Sequence, residues 1–309
     1  MARSIRVGYG EHITNQGQNN SDIILLEADL ADSTQSEPFQ KAFPDRYFQI
    51  GIAEQNMVGM AAGLSLEGKL PIVNSFAAFI AMRACEQVRT DVAYPNLNVK
   101  FVVSHAGVSA GSAGPTHHTY EDIAIMRSIP NMTVCVPGDV REMRQVIDSA
   151  LENHGPYYVR ISAIDIEDTY QKSDKFSLGK ATQLSDGDDL TIITTGTMMH
   201  EGKEIVTNLK KDGINARLLQ MASIKPIDRD AILKAAEETE KIFTIEEHNI
   251  IGGLGSAVAE VLAEANTGVL NRFGFNDSFC DIGGDPAFLL DKAGLSSTKL
   301  TKQILESIK

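Results

Sequence analysis

A carboxylate at the mouth of an apolar helix is the first feature with chemical content. Glu54 lies in Gly51-Ile52-Ala53-Glu54-Gln55-Asn56-Met57 and is followed by the small, apolar run Val58 to Gly63. An acid in a first helical turn complements the helix dipole, which is its commonplace reading. The run behind it packs tightly, so Glu54 should face something specific, because an unpaired buried carboxylate is costly. In Asn74-Ser75-Phe76-Ala77-Ala78-Phe79, two aromatics stand three apart at a strand-to-helix turn. Phe76 reads first as core packing. Phe79 opens a helix near a strand's C-terminal end, where doubly wound folds place ligands, and its ring can stack on a flat heterocycle.

A third cluster is Ser104-His105-Ala106-Gly107 with Gly111-Ser112-Ala113-Gly114-Pro115-Thr116-His117-His118. One histidine is usually structural. Three in a Gly- and Ser-rich loop after an apolar strand point to acid/base or hydrogen-bonding work on a polyol. Their spacing matches no metal helix motif, so no metal ligands are assigned. Glycines at Gly252-Gly253-Leu254-Gly255-Ser256 lack the dinucleotide-binding register and read as a tight strand-to-helix turn.

These residues need a scaffold, and the hydrophobic pattern supplies one. Strands are expected at Ile23 to Glu27, Pro71 to Ser75, Val99 to His105, Thr133 to Pro137 and Tyr157 to Ile161. Helices are expected at Ala53 to Leu66, Phe79 to Tyr94, Glu121 to Ile129 and Val140 to Leu151. Apolar strands without polar alternation are buried on both faces, hence a doubly wound parallel sheet. Asp165 to Asp189 is polar and reads as a linker. A smaller series follows, with strands at Leu190 to Thr195, Ala216 to Met221 and Lys241 to Glu246. Its helices are Met198 to Lys211, Arg229 to Thr239 and Gly255 to Ala265. The fold class is therefore α/β in two domains, 1–175 and 176–309.

The 309 residues suit two domains, and 43% hydrophobic content gives each a core. A net charge of −13 repels phosphate backbones and anionic lipid, so nucleic acid and membrane partners are not expected. No apolar run reaches the ~20 residues needed to cross a bilayer. Cys85, Cys135 and Cys280 are odd in number and far apart, as expected of free thiols in a reducing cytoplasm.

Taken together, the chain resembles the C-terminal half of transketolase, most of all the split transketolases made as two chains. The likeness runs from about Arg6 to about Asp285. It is carried by Ala28-Asp29-Leu30-Ala31 with Ser33, by Phe43-Pro44-Asp45-Arg46-Tyr47-Phe48 and by Gly51 to Met57. Ala93-Tyr94-Pro95-Asn96-Leu97-Asn98-Val99-Lys100, Ile129-Pro130-Asn131-Met132-Thr133-Val134 and Ile245-Glu246-Glu247-His248 add to it. The resemblance implies a pyrimidine-binding domain followed by a transketolase-type C-terminal domain. It also implies a thiamine diphosphate enzyme that transfers a two-carbon ketol unit from a ketose to an aldose.

Roles follow from the resemblance position by position. Glu54 matches the glutamate that bonds N1′ of the aminopyrimidine, so that the exocyclic nitrogen can take the thiazolium C2 proton. Phe79 matches the ring that stacks on the aminopyrimidine. Phe76, Asp29 and Met82 stand at cofactor-side positions, Met82 where the family has an aromatic. His117 and His105 match substrate-side histidines, and His117 is counted with Glu54 as catalytic. Arg6 and Ser33 match residues that hold the distal end of the sugar, and Arg160 joins the substrate-binding candidates.

The family holds the diphosphate through a divalent cation on a Gly-Asp-Gly motif, which is absent from this sequence. The resemblance thus implies an N-terminal partner subunit that supplies Mg2+ or Ca2+ ligands, in a heterotetramer with sites between chains. Besides Met82, two positions depart from the family. Ala113 replaces an aspartate that contacts the donor, and Ala163 replaces an arginine that grips phosphate. Losing that guanidinium removes charge-assisted bonds worth roughly 1.5–3 kcal/mol each. The expected substrate is therefore not a standard pentose or hexose phosphate, but one with another anion, a branch or a shorter chain. Competing readings are the β subunit of a 2-oxoacid dehydrogenase, the one-chain deoxyxylulose phosphate synthases and a non-catalytic assembly subunit.

Overall fold

Each half of the chain builds its own sheet in the computed structural model, which describes residues 2–171 and 173–308. The first sheet runs Ser223–Lys225, Thr133–Cys135, Tyr157–Arg160, Lys100–Ser104, Leu70–Phe76, Ile23–Glu27, Tyr47–Gln49. Its central strands are buried along their whole length. That is why their sequences carry apolar runs rather than alternation. All neighbours are parallel except Ser223–Lys225, which pairs antiparallel with Thr133–Cys135. This edge strand comes from the second half of the chain, so the first sheet is completed across the domain boundary.

The chain steps from Ile23–Glu27 outward to Tyr47–Gln49, then returns to the opposite side at Leu70–Phe76. The reversal leaves a crevice beyond the C-terminal ends of Ile23–Glu27 and Leu70–Phe76, with Lys100–Ser104 alongside. Asp29, Ser33, Phe79 and His105 all follow those three ends.

The second sheet runs Val269–Phe275, Lys241–Asn249, Leu190–Thr194, Ala216–Gln220, Thr182–Ser185, with only the last strand antiparallel. The supposed linker is therefore partly ordered. It supplies Thr182–Ser185 to this sheet and Asp165–Ile166 to a two-stranded ribbon with Arg3–Ser4. One apolar cluster holds residues of both halves, from Ile24, Met57 and Val103 to Ile193, Met221 and Leu254. The domains thus share a core.

Two helical expectations change. The single helix expected from Phe79 to Tyr94 is instead a π-helical turn Phe79–Arg83, a short α turn Cys85–Gln87 and a second π turn Val88–Ala93. Wide turns of this kind gather at functional sites because they re-aim side chains. The helix Ile5–Asn19 was not expected, since its glycines and amides weaken helical propensity. Packing overrides propensity: Ile5, Tyr9 and Ile13 form its buried stripe. A Cβ at Gly10 would lie 2.1 Å from the Gln35 carbonyl oxygen, so only glycine permits that approach. Among the described residues, no helix is long and apolar enough to cross a membrane.

Candidate active site

Glu54 opens the helix Glu54–Leu66 and is 1% exposed. Oε2 of its carboxylate accepts a hydrogen bond from Arg83 Nη1 at 2.7 Å, while Oε1 is buried and has no partner. Arg83 closes the first π turn, whose opening residue is Phe79. The guanidinium lies 4.4 Å from the Phe79 ring centroid, so one cation spans both the acid and the ring.

The rings continue inward from Phe79. Phe76 stacks with Phe79 at 5.7 Å and with His105 at 3.9 Å between centroids. His117 stands edge-on to Phe79 at 5.4 Å and to Phe76 at 6.1 Å. Glu54, Arg83, Phe79, Phe76, His105 and His117 therefore form one connected wall. His105 has φ +57, a left-handed backbone uncommon outside glycine, and its ring is the one stacked on Phe76. Burial first, then the positive charges of Arg6 and His117, push its imidazole down to about 3. His105 is thus neutral near pH 7, with its Nδ1 2.9 Å from Ser104 Oγ.

The loop after Ile23–Glu27 is held from below. Glu27 is fully buried, and its carboxylate accepts from Thr34 Oγ1 at 2.6 Å, Ser36 Oγ at 2.7 Å and the Ala28 amide at 3.2 Å. Burial raises its carboxyl to about 7 despite these donors. Above it, Asp29 is exposed, has φ +61 and donates its amide to Gln49 Oε1 at 2.6 Å. Arg6 Nη1 donates to the Ser33 carbonyl at 2.6 Å, and Nη2 to the Ala163 carbonyl at 3.3 Å. A groove of about 960 Å³ opens on Arg6, Ala163 and Asp165 from one domain and Glu201, Pro286 and Ser297 from the other. Glu54, Phe79 and His117 do not line it.

The structure does not bring every candidate to the wall. Arg160 is 5% exposed, and its Nε donates to Asp122 Oδ2 at 2.8 Å. Its Nη2 donates to the Glu247 carbonyl at 2.9 Å and the Thr119 carbonyl at 3.4 Å. A guanidinium consumed this way at the domain boundary is not offered to a substrate. Met82 is 47% exposed and outward on the π turn. Arg83 and Glu27 were missed from sequence. The available signals were a lone cation in an apolar segment and an acid ending an otherwise apolar strand.

The model of the transketolase pyrimidine-binding domain matches residues 2–167, and that of the transketolase C-terminal domain matches residues 179–293. This chain belongs to the transketolase family. The family is thiamine diphosphate-dependent. The 6-deoxy-6-sulfo-D-fructose transketolase subunit SqwH of Clostridium sp. (strain MSTE9) is 38% identical over 96% of this chain and 92% of its own length. One of the apulose-4-phosphate transketolase subunits of Phocaeicola vulgatus is 37% identical over 98% of this chain and 97% of its own. Among solved structures, a split gene transketolase, described as an inactive β4 tetramer, has a TM-score of 0.90 at 40% identity, covering 99% of this chain and 98% of that one. The transketolase of Campylobacter jejuni shares the fold, with a TM-score of 0.84 at 19% identity, and this chain spans 47% of it. The transketolase fold expected from sequence, with its two α/β domains, is thereby established.

Proposed function

We propose that this chain is the pyrimidine-binding subunit of a two-chain transketolase. One observation carries the reading: Glu54 Oε1 is buried and unpartnered, while the Arg83 guanidinium that holds Oε2 lies over the Phe79 ring. A buried acceptor without a donor is costly, and a ligand that donates to it relieves that cost. An aminopyrimidine fits, because its ring nitrogen can share a proton with the carboxylate and its π-face matches a phenyl ring. Thiamine diphosphate, when bound, supplies the carbon nucleophile and electron sink for ketol transfer.

The chain's own residues do the rest. Arg83 keeps the Glu54 carboxylate turned, with Oε1 free to hold a proton at the pyrimidine nitrogen. Phe79 orients the ring, with Phe76 behind it and Asp29 on the cofactor side. Neutral His105 and the nearby His117 stand where the oxygens of a sugar would be hydrogen-bonded. Arg6 and Ser33 hold the distal end of the sugar.

The diphosphate and its Mg2+ or Ca2+ are assigned to a partner subunit, because this sequence carries no Gly-Asp-Gly motif. Relatives named as subunits, and the inactive β4 assembly of the split gene relative, support dependence on that partner. Ile52, Met60, Met82 and Tyr94, exposed on or next to the helical elements that carry Glu54 and Phe79, are the contact residues we assign to it. Two copies of each chain would complete two sites.

The substrate is a ketose that is not a standard pentose or hexose phosphate. Arg6 has no second arginine at Ala163, and Asp165 and Asp32 partly offset its charge. Relatives named for 6-deoxy-6-sulfo-D-fructose and for apulose-4-phosphate accord with this.

The test is reconstitution with the diphosphate-binding chain, thiamine diphosphate titration and a panel of ketose donors. Turnover should require both chains, and Glu54→Gln should lower it by roughly 10²–10⁴-fold. Unchanged turnover in that variant would refute the assignment of Glu54. Best activity on xylulose 5-phosphate would refute the substrate class.

A further inference from the structure

We propose that Glu247, from the second domain, is the positioning residue for the histidine loop of the first. This rests on the reading that His105 and His117 serve the substrate. The loop from His105 to Thr119 leaves one strand and returns with an isolated bridge, in which the Thr119 amide donates to the Gly107 carbonyl at 2.9 Å. Its own sheet does not reach beneath it. The strand Lys241–Asn249 does, carrying Glu246, Glu247 and His248 in full burial.

Glu247 Oε1 accepts from the Val108 amide at 2.7 Å, and Oε2 from Thr197 Oγ1 at 3.3 Å. Gly107, at φ +64, rests directly on the carboxylate: a Cβ there would meet Oε1 at 2.2 Å. The outgoing end is tied by the next groups along the same strand. Arg160 Nη2 joins the Glu247 carbonyl to the Thr119 carbonyl. The Asn249 amide donates to the Tyr120 carbonyl at 2.9 Å, and the Ala124 amide to His248 Nε2 at 3.3 Å.

Both ends of the loop are therefore fixed to one strand of the other domain. The incoming end rests on the Glu247 carboxylate and is tied within its own domain through Ser109, whose Oγ donates to the Ala106 carbonyl and accepts from the Ala163 amide. His105 stands two residues before Gly107, and His117 two residues before Thr119. A displaced Gly107-Val108 step moves His105 relative to Phe76, whereas Glu54 and Phe79, on other elements, stay in place. Glu247 touches no reacting atom in this scheme. It sets where the histidines stand.

The experiment compares Glu247→Ala and Glu247→Gln with the parent chain. Hydrogen exchange is read in the isolated chain, and kinetics in the reconstituted two-chain assembly. In Glu247→Ala, amides within 105–119 should exchange at least about tenfold faster, with Glu54–Leu66 unchanged. kcat/KM for the ketose should fall roughly 10- to 100-fold, with thiamine diphosphate affinity held. Gln keeps an acceptor for Val108 and a partner for Thr197, so it should restore both readouts. If Glu247→Ala does not fold, Glu247→Asp, whose carboxylate is one carbon short of Val108, carries the same expectation.

Unchanged exchange at 105–119 overturns the proposal, as does loosening that extends equally to Glu54–Leu66. A parent assembly without ketol transfer would instead refute the proposed function. The exchange result would still decide whether Glu247 holds the loop.

Discussion

Arg83 and Glu54 form an ion pair of 2.7 Å in which only one carboxylate oxygen is used. The acid is buried and the arginine side chain is 46% exposed, so the pair sits at the boundary between core and solvent. Such a half-exposed pair contributes ~1 kcal/mol or less to stability. Its geometric effect is larger, because it leaves Oε1 as the free acceptor. Replacing Arg83 with Met also strands the buried Glu54 carboxylate, so it should lower the unfolding free energy by roughly 1–3 kcal/mol while leaving the chain folded. Turnover of the assembled enzyme should nevertheless fall at least about tenfold, since the carboxylate loses its orientation. Urea unfolding and steady-state kinetics on the same preparation test the split. A large stability loss with normal turnover would contradict it.

Glu27 gives a pH prediction with a definite sign. Burial raises its carboxyl from 4.5 to about 7 in the folded chain. A raised carboxyl stabilises the fold fully below about pH 4.5 and loses that contribution as pH rises through about 7. Glu27→Gln stays neutral throughout. Its stability relative to the parent should increase by about 1.4 kcal/mol per pH unit across that window. Tm differences measured from about pH 5 to about pH 8 check it. A constant difference would place the Glu27 proton elsewhere.

Arg160 and Asp122 form a buried pair at 2.8 Å, 5% and 0% exposed. Removing the cation strands an anion inside the shared region between domains. Arg160→Met should cost roughly 3–5 kcal/mol. A denaturant midpoint close to the parent value would mean that water reaches Asp122.

Ile52 is 74% exposed and stands two residues before Glu54. If a partner covers this face, Ile52→Asp should leave the Tm of the isolated chain within a few degrees. Association with the diphosphate-binding chain should weaken by at least about tenfold. Analytical ultracentrifugation of the mixed chains reads this directly. Undiminished association would move the interface away from the Glu54 helix.

Much of this was legible in the residues themselves. Runs such as Ile23-Ile24-Leu25-Leu26 and Phe101-Val102-Val103 fix buried strands by period and β-propensity. Glu54 ahead of a small apolar run marked a carboxylate that should face something specific. The helix at Ile5–Asn19 was not legible, because its glycines serve close packing against Gln35 and Phe39 that no local rule anticipates. Arg160 looked available because a strand pattern cannot say what crosses above it.

The sequence by itself determined the two α/β domains, the Glu54 and Phe79 turn and the histidine loop, since each depends on local period and composition. Only the tertiary structure decided that Arg83 takes one oxygen of Glu54. It alone decided that Ser223–Lys225 closes the first sheet and that Glu247 sits beneath Gly107 and Val108. Those are contacts between segments far apart along the chain. Their energies depend on distance and burial in three dimensions, which a one-dimensional pattern does not encode.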